Sequence, residues 1–487
     1  MCNKDKVNAT GHSRPTMEVP VVHSHAAGVD ISSKFHVGAV GQALDDMVQI
    51  GITTPELHEA AMEFKRRGVR TVAMESTGYF WIPFAVLLRD HGFEVVVVNG
   101  ADIKSYNRPK TDPKDARWIQ KLHSLGLLRA SFQLDNFNDG LRSYSRRRRT
   151  LIQDRTRLLN RMHKALVLMN VQVGMFLSEL DSKTGMDIIA DIVSGTRDPK
   201  KLFLHVRSGV KTPENQMLKA LEGTWQPELL FELGQLHRSF LFCAQQIKEC
   251  DLEIDRILEA YCKEHHIETA PPDTRPPAHK RCAFYDDHAP AFAMVDKLQR
   301  ITATDFLAID GVGPNFVLDV TSELGFDFHQ FPSAKHFASW LGLAPRTKIS
   351  GGKILSSKTP KRSNRAAQAF RQAANAIGNS RQHPLKPFFL NILRKQGRKG
   401  AIVATARKLA VIVYHMVTEN TAFDYHVSEE EKLRQRNNLK KKFKELSRNF
   451  SSHKWNWSSP LRAVQQRIIA ALTCFSDTKK WDAFPLA

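Results

Sequence analysis

At 487 residues the chain is too long for one hydrophobic core, so two or three domains are expected. Its 71 Lys and Arg against 50 Asp and Glu give a net charge of +21, and 42% hydrophobic residues suffice for folded cores. This clustered positive charge points to a polyanion, nucleic acid ahead of an unrelated basic enzyme. Six cysteines (Cys2, Cys243, Cys250, Cys262, Cys282 and Cys474) lack paired spacing, which does not suggest a disulfide framework and suits a reducing compartment.

Residues 1–20 are polar, lack the apolar core of a signal peptide, and are expected to be a disordered lead-in. No apolar run looks long enough to span a membrane, so no membrane partner and a cytoplasmic location are expected. From 21 to about 130 short β-rich runs alternate with helical ones. "AAGVDISSKFHVGAV" reads as a strand, and "RTVAMESTG" as a strand ending in a turn. "YFWIPFAVLLRDHG" reads as a helix, "FEVVVVNG" as a buried strand, and "DPKDARWIQKLHSLGLL" as a helix opening at an Asp-Pro pair. This is an α/β domain with a mixed or parallel sheet.

Four acids stand out in it. Asp30 lies inside a strand among apolar neighbours, where a charge is costly unless it binds something. Glu75 follows the apolar end of a second strand. Asp112 and Asp115 are three apart at a helix start, so both carboxylates lie on one face. Carboxylates at strand ends and on a nearby helix converge at the carboxyl edge of a sheet and suit hard divalent cations in phosphodiester chemistry. Each also has a structural reading. Asp112 suits an N-cap and Asp115 the helix dipole, Glu75 could bond turn amides, and Asp30 could be an edge residue.

Residues 131–268 read as long, charged, coiled-coil-like helix. Nine Lys or Arg fall between Arg142 and Lys164 against one acid, Asp154. Arg146, Arg147, Arg148 and Arg149 are the expected backbone-tracking cations. "TAPPDTRPPAHK" carries four prolines and marks a linker over 269–300. Cys262, His265, His266 and Cys282 flank it without the spacing of a zinc finger. Residues 301–425 form a second, mainly α domain, and 426–487 a basic extension. In "AIDGVGPNFVLDVTSELG" the Gly311 and Gly313 turn resembles a helix-hairpin-helix, whose backbone N–H groups face a phosphate. "RTKISGGKILSSKTPKRSNR" has seven Lys or Arg and no acid. There Ser350 precedes Gly351 and Gly352, with Arg346, Lys348 and Lys353 around it to neutralise a phosphate. The glycines allow close approach of the backbone to DNA. Ser356 and Ser357 are rival nucleophiles.

Together "GVDIS", "AMESTG", "KTDPKDA", "AIDGVGPNFVLDVTSELG", "SWLGLAPRTKISGGK" and "ARKLAVIVYHMVTEN" resemble an insertion-sequence transposase family. Its members pair an N-terminal DEDD, RuvC-like domain with a C-terminal serine-bearing domain and are bridge-RNA-guided recombinases. The resemblance covers about 21–130 and 300–425. It implies an RNase H-like fold in which Asp30, Glu75, Asp112 and Asp115 bind Mg²⁺. It implies Ser350 as the nucleophile that joins DNA, in a homo-oligomer (dimer or tetramer) in which one subunit's acids complete a site with another's serine. It also implies donor and target DNA, a non-coding guide RNA, and a place in the bacterial or archaeal cytoplasm at the nucleoid. The length of the chain, its middle region and its tail depart from the family pattern. Two other readings stay open at this point. One is a metal-dependent nuclease or junction resolvase in which Ser350 only grips a phosphate; the other is a non-enzymatic nucleic-acid binder.

Overall fold

A computed structural model describes residues 20–43, 45–103, 113–269, 288–360 and 364–423. The expected lead-in, most of the linker and the basic extension lie outside these, as does Asp112. The described residues up to Gln133 form one unit, and those from Leu134 onward form another.

The first unit holds strands β1 (Ala26–Asp30), β2 (His36–Ala39) and β3 (Met47–Ile50), then helix α1 (Thr54–Arg66) and strand β4 (Thr71–Glu75). Helix α2 (Trp81–Asp90), strand β5 (Glu94–Val98), the short α3 (Gly100–Ile103) and α4 (Pro113–Ser124) complete it. The sheet order is β3-β2-β1-β4-β5. β1, β2 and β3 pair antiparallel, while β1, β4 and β5 pair parallel, which is the mixed sheet expected. The run read as one strand over residues 26–40 is two. Ser32-Ser33-Lys34 is too polar to continue a buried strand, and the Ser32 hydroxyl donates to the Phe35 carbonyl to close the turn. Helix α1 opens on a Thr-x-x-Glu signal, in which the Thr53 N–H donates to Glu56 Oε2 at 2.9 Å.

Strand periodicity sorts the side chains into two layers. Val29, Ile31, Val72, Met74 and Val97 pack with Leu57, Phe64, Phe84 and Leu88 of α1 and α2. Ala73 and Val98 face the other way, onto Ile119 and Leu122 of α4. Gly28 also faces α4: a Cβ there would sit 2.2 Å from Gln120 N and 2.6 Å from Ala116 O. Near the end of α4 the His123 Nε2 meets Thr71 Oγ1 at 2.9 Å, and the ring stacks on His23 at 4.9 Å. Burial pushes the His123 pKa down to about 4 from an ordinary 6.5, with His23 adding to the effect. The folded pKa lies below the unfolded one, so the unfolded chain takes up the proton first as pH falls. This unit is therefore expected to lose stability progressively between pH 6.5 and 4. Thermal melts across that window should show a slope that His123→Gln flattens.

The second unit is helical apart from one hairpin. Helices α5 (Asn136–Leu168) and α10 (Pro227–Glu264) are joined by α6 (Val173–Phe176), α7 (Lys183–Ser194), α8 (Pro199–Phe203) and α9 (Glu214–Ala220). Phe137 meets Tyr261, Arg148 meets Asp251, and Arg155 lies over Phe240, so the two long helices run antiparallel. The connecting helices bury Ile188, Ile192, Leu202 and Met217 against Met162, Leu166 and Phe240. The middle region is thus a long helical pair closed at one end by a small bundle.

Beyond them lie α11 (Phe292–Ile301), α12 (Pro314–Leu324), α13 (Ala334–Trp340), strands β6 (Lys348–Ser350) and β7 (Lys353–Ser356), α14 (Arg365–Asn379) and α15 (Lys386–Glu419). Residues 292–300, expected within the linker, are helix. α11 packs on α10 and α12, and α12 packs on α5, so the long helices and the serine-bearing segment share one unit. Fully buried Phe328, Phe337, Phe370 and Phe389 lie in its core, and the Tyr414 hydroxyl donates to the Phe331 carbonyl at 2.8 Å. Contrary to expectation, α15 is long and apolar enough to cross a membrane by length and composition. It buries Leu409, Ala410 and Val413 and packs against α13 and α14, so its apolar residues serve this core.

Candidate active-site residues

β1 and β4 are adjacent and parallel, with Gly28 opposite Ala73 and Val29 opposite Met74. Gly28 and Ala73 face α4. Two residues further along, Asp30 and Glu75 continue that face and end their strands at the carboxyl edge of the sheet. Both are half-buried. Asp115 stands in the first turn of α4, next to the Ala116 carbonyl that lies against Gly28, and is half-buried as well. The fold therefore places Asp30 and Glu75 at one sheet edge, with Asp115 in the first turn of the helix that packs on the same face.

A glycine makes room for one of them. A Cβ on Gly100, just past β5, would fall 2.0 Å from Glu75 Oε1, so only glycine admits the carboxylate in this position. Sequence reading did not single out Gly100, and nothing but its place after β5 could have suggested it. The donor chemistry fits a hard divalent cation: carboxylate oxygens at the end of a parallel strand pair, in a cradle that a side chain would fill. Among the described residues, no group of three His, Cys, Asp or Glu could by itself hold a metal ion. Asp112 lies outside those residues.

Ser350 is carried on the second unit by a different device. β6 and β7 pair antiparallel, with Ser350 opposite Lys353 and Ile349 opposite Ile354. Gly351 and Gly352 form the two-residue turn with φ of +54° and +76°. Two successive positive φ values suit a type I′ turn, whose twist matches the flanking strands, and glycine adopts them without strain. The Arg346 N–H donates to the Lys358 carbonyl at 3.1 Å and closes the base of the hairpin. Ser350 is exposed at the tip, and so are Ile349, Ile354 and Leu355. Lys353, directly across the ladder, brings a cation beside the hydroxyl. Arg346 is exposed at the base, on the strand that leads to Lys348.

Of the rival serines, Ser356 accepts from the Lys358 N–H at 3.4 Å, and Ser357 lies at the base rather than the tip. The histidines of this region are occupied locally. His336 Nδ1 meets Ser333 Oγ at 2.8 Å, His329 Nδ1 meets Asp327 Oδ1 at 2.8 Å, and His383 Nδ1 accepts from the Leu385 N–H at 2.9 Å.

The arginine run does not present one phosphate-facing surface. Arg146 makes a two-pronged bond to Glu323, 2.7 Å at each prong. Arg148 is 3% exposed and pairs with Asp251, while Arg149 meets Asp319 Oδ2 at 3.1 Å. Burial raises the Asp319 carboxyl to about 6, against the opposing pull of Arg149. A buried guanidinium is stabilised only if paired, so these residues tie α5 to α10 and α12. Arg146, 44% exposed despite its bond to Glu323, and Arg147, exposed and touching Gln246 at 3.4 Å, are the members still presented to solvent. The two glycines of the expected hairpin turn also divide. Gly311 has φ +81°, and a Cβ there would press on Ile377 of α14 at 3.1 Å, so it serves packing. Gly313 precedes α12 with open space around its Cα.

Comparison with known families reports on both units. Residues 27–171 match the model of the DEDD transposase domain of the IS110 group. Residues 303–388 match that of the transposase family IS116/IS110/IS902. No curated protein matches the chain. The first match spans Asp30, Glu75, Asp112 and Asp115, and its domain implies an RNase H-like fold, with which the mixed sheet agrees. The second spans the Ser350 hairpin. Both matched domains are transposase domains and occur here in one chain, which supports an enzyme of DNA transposition related to the IS110 group.

Proposed function

We propose that this transposase cuts and rejoins DNA through a covalent bond to Ser350, assisted by Mg²⁺ on Asp30, Glu75, Asp112 and Asp115, and that a non-coding RNA chooses the donor and target sites. The single observation that carries the reading is the exposed Ser350 at the tip of a glycine-turned hairpin, with Lys353 across from it. A serine needed only for packing has no use for that position.

In the first step the Ser350 hydroxyl gives up its proton and its oxygen bonds to the scissile phosphorus. The bond from phosphorus to the leaving DNA oxygen breaks with its electron pair, and that oxygen takes up a proton. The reverse attack by a DNA hydroxyl on the phosphoserine rejoins a strand and restores the serine. Each phosphodiester is conserved in the protein–DNA bond, so no nucleotide cofactor is consumed. Lys353 and Arg346 neutralise the attacked phosphate. Asp30, Glu75, Asp112 and Asp115 hold the cation, which when bound supplies charge stabilisation to the transferring phosphoryl group. Pairing between the RNA and the DNA supplies sequence choice, while the excess positive charge of the chain holds the backbones. A homo-oligomer, dimer or tetramer, supplies the acids and the serines together.

The test is a covalent-adduct assay with Mg²⁺, the RNA encoded beside the gene and labelled element-junction DNA. Wild-type protein is expected to give a slow, protease-sensitive DNA band on a denaturing gel, and Ser350→Ala is expected to give none. Cut DNA without an adduct in both proteins would overturn the serine mechanism and leave a metal-dependent nuclease.

A further inference from the structure

A groove of about 640 Å³ lies beside the Ser350 hairpin, within the size range of ligand clefts. Ser357 and Thr359, on the return strand just past β7, form part of one wall, and Phe388, Lys399, Arg407 and Lys408 of α15 form part of the other. Gly397, with φ +73° and ψ 179°, breaks the path of α15 between Phe388 and the cations. Gly400 lines the groove without a side chain to fill it. Lys408 Nζ sits 4.8 Å from the centre of the Phe388 ring. Among the described residues no Asp or Glu lines the groove.

This composition selects its occupant. Three cations without an acid call for an anion. Aliphatic walls and an aromatic ring call for flat, apolar surface as well. Hydroxyls on the facing wall supply donors for phosphate oxygens. A single strand of nucleic acid has all three features in repeat, with phosphates for Lys399 and Arg407 and a base for Phe388.

We infer that the groove holds the single strand of DNA that leads to Ser350. The assignment to DNA rests on the reading of Ser350 as the attacking residue. Ser357 and Thr359 belong to the arm that bears that serine, and the arm is closed by the Arg346–Lys358 hydrogen bond. From Arg346 to Ser350 an extended strand spans roughly 13 Å at about 3.3 Å per residue. The groove therefore lies within a few nucleotides of the cut.

The test uses the full chain and a short labelled oligodeoxynucleotide, with the matching oligoribonucleotide alongside, in binding titrations over a series of KCl concentrations. The double variant Lys399→Gln/Arg407→Gln is expected to melt as wild type does. It should reduce the slope of log affinity against log salt for DNA by about 1.4, at roughly 0.7 for each released counterion. Phe388→Leu, which keeps an apolar side chain, is expected to weaken DNA binding about tenfold with little change in slope. An unchanged slope in the double variant, or a fall confined to the RNA, would overturn the inference. Ser350→Ala should bind as wild type does in this assay. A failed adduct assay beside a reduced DNA slope would thus remove the serine mechanism and leave the groove as a DNA site.

Discussion

Asp30→Asn is expected to lower Mg²⁺-dependent DNA cleavage on the order of 10²–10³-fold or more, the usual effect of losing one preorganised electrostatic group. The side chain keeps its shape and loses its charge. Asp30 closes β1 at the carboxyl edge, half-buried, on the face shared with Glu75 and α4. An uncharged amide there keeps the strand pairing, so the melting temperature should hold or rise slightly. Glu75→Gln should behave alike, because its carboxylate occupies the space that Gly100 leaves open. Glu59→Gln, on the exposed side of α1, is the control and should cleave as wild type does. Cleavage by Asp30→Asn near the wild-type rate, over a titration of Mg²⁺, would sink the role of the acids. A raised Mg²⁺ requirement with the same maximal rate would instead assign Asp30 to holding the cation alone.

The strand-end placement of Glu75 was legible in the sequence because it follows a short apolar run, whereas Asp30 read as a residue inside a longer strand. Which face they take follows from period-two alternation with Gly28 and Ala73, and that inference needed the register between β1 and β4. The break after Asp30 was missed because "FHVGAV" resumes the same apolar alternation after three polar residues. From sequence alone the Ser350 segment is assigned no secondary structure. Its two-glycine turn between Ile349 and Ile354 is a hairpin signal, weakened there by the uncovered aliphatic residues on either side.

The arginine run divides between solvent and buried ion pairs for a physical reason. Four consecutive arginines on a helix read as a uniform basic face only if their counter-charges are distant. Glu323, Asp319 and Asp251 lie 177, 170 and 103 residues away from their arginine partners, beyond any local pattern. The same blindness hid the groove. Phe388 and Arg407 lie on opposite sides of the Gly397 break in α15, and neither carries a motif.

Gly28→Ala is the second large effect. The added Cβ would stand 2.2 Å from Gln120 N, 2.6 Å from Ala116 O and 2.7 Å from Gln120 Cα. All three are backbone atoms of α4, so no side-chain rotamer relieves the contact. Either α4 lifts from β1 or β1 shifts within the sheet. Overpacking commonly costs about 1–3 kcal/mol, and a clash with helix backbone belongs at or above the top of that range. Lifting α4 also moves Asp115, one residue from the contact, away from the edge where Asp30 and Glu75 stand. Cleavage should therefore fall more steeply than the folded fraction does. Val29→Ala is the comparison: it faces the opposite layer, opens a cavity there and leaves the seat of α4 on Gly28 unchanged. At matched loss of stability, measured by thermal melting, Gly28→Ala should retain far less cleavage than Val29→Ala. Equal cleavage at equal stability would mean that the seating of α4 on β1 does not set the geometry of the acids.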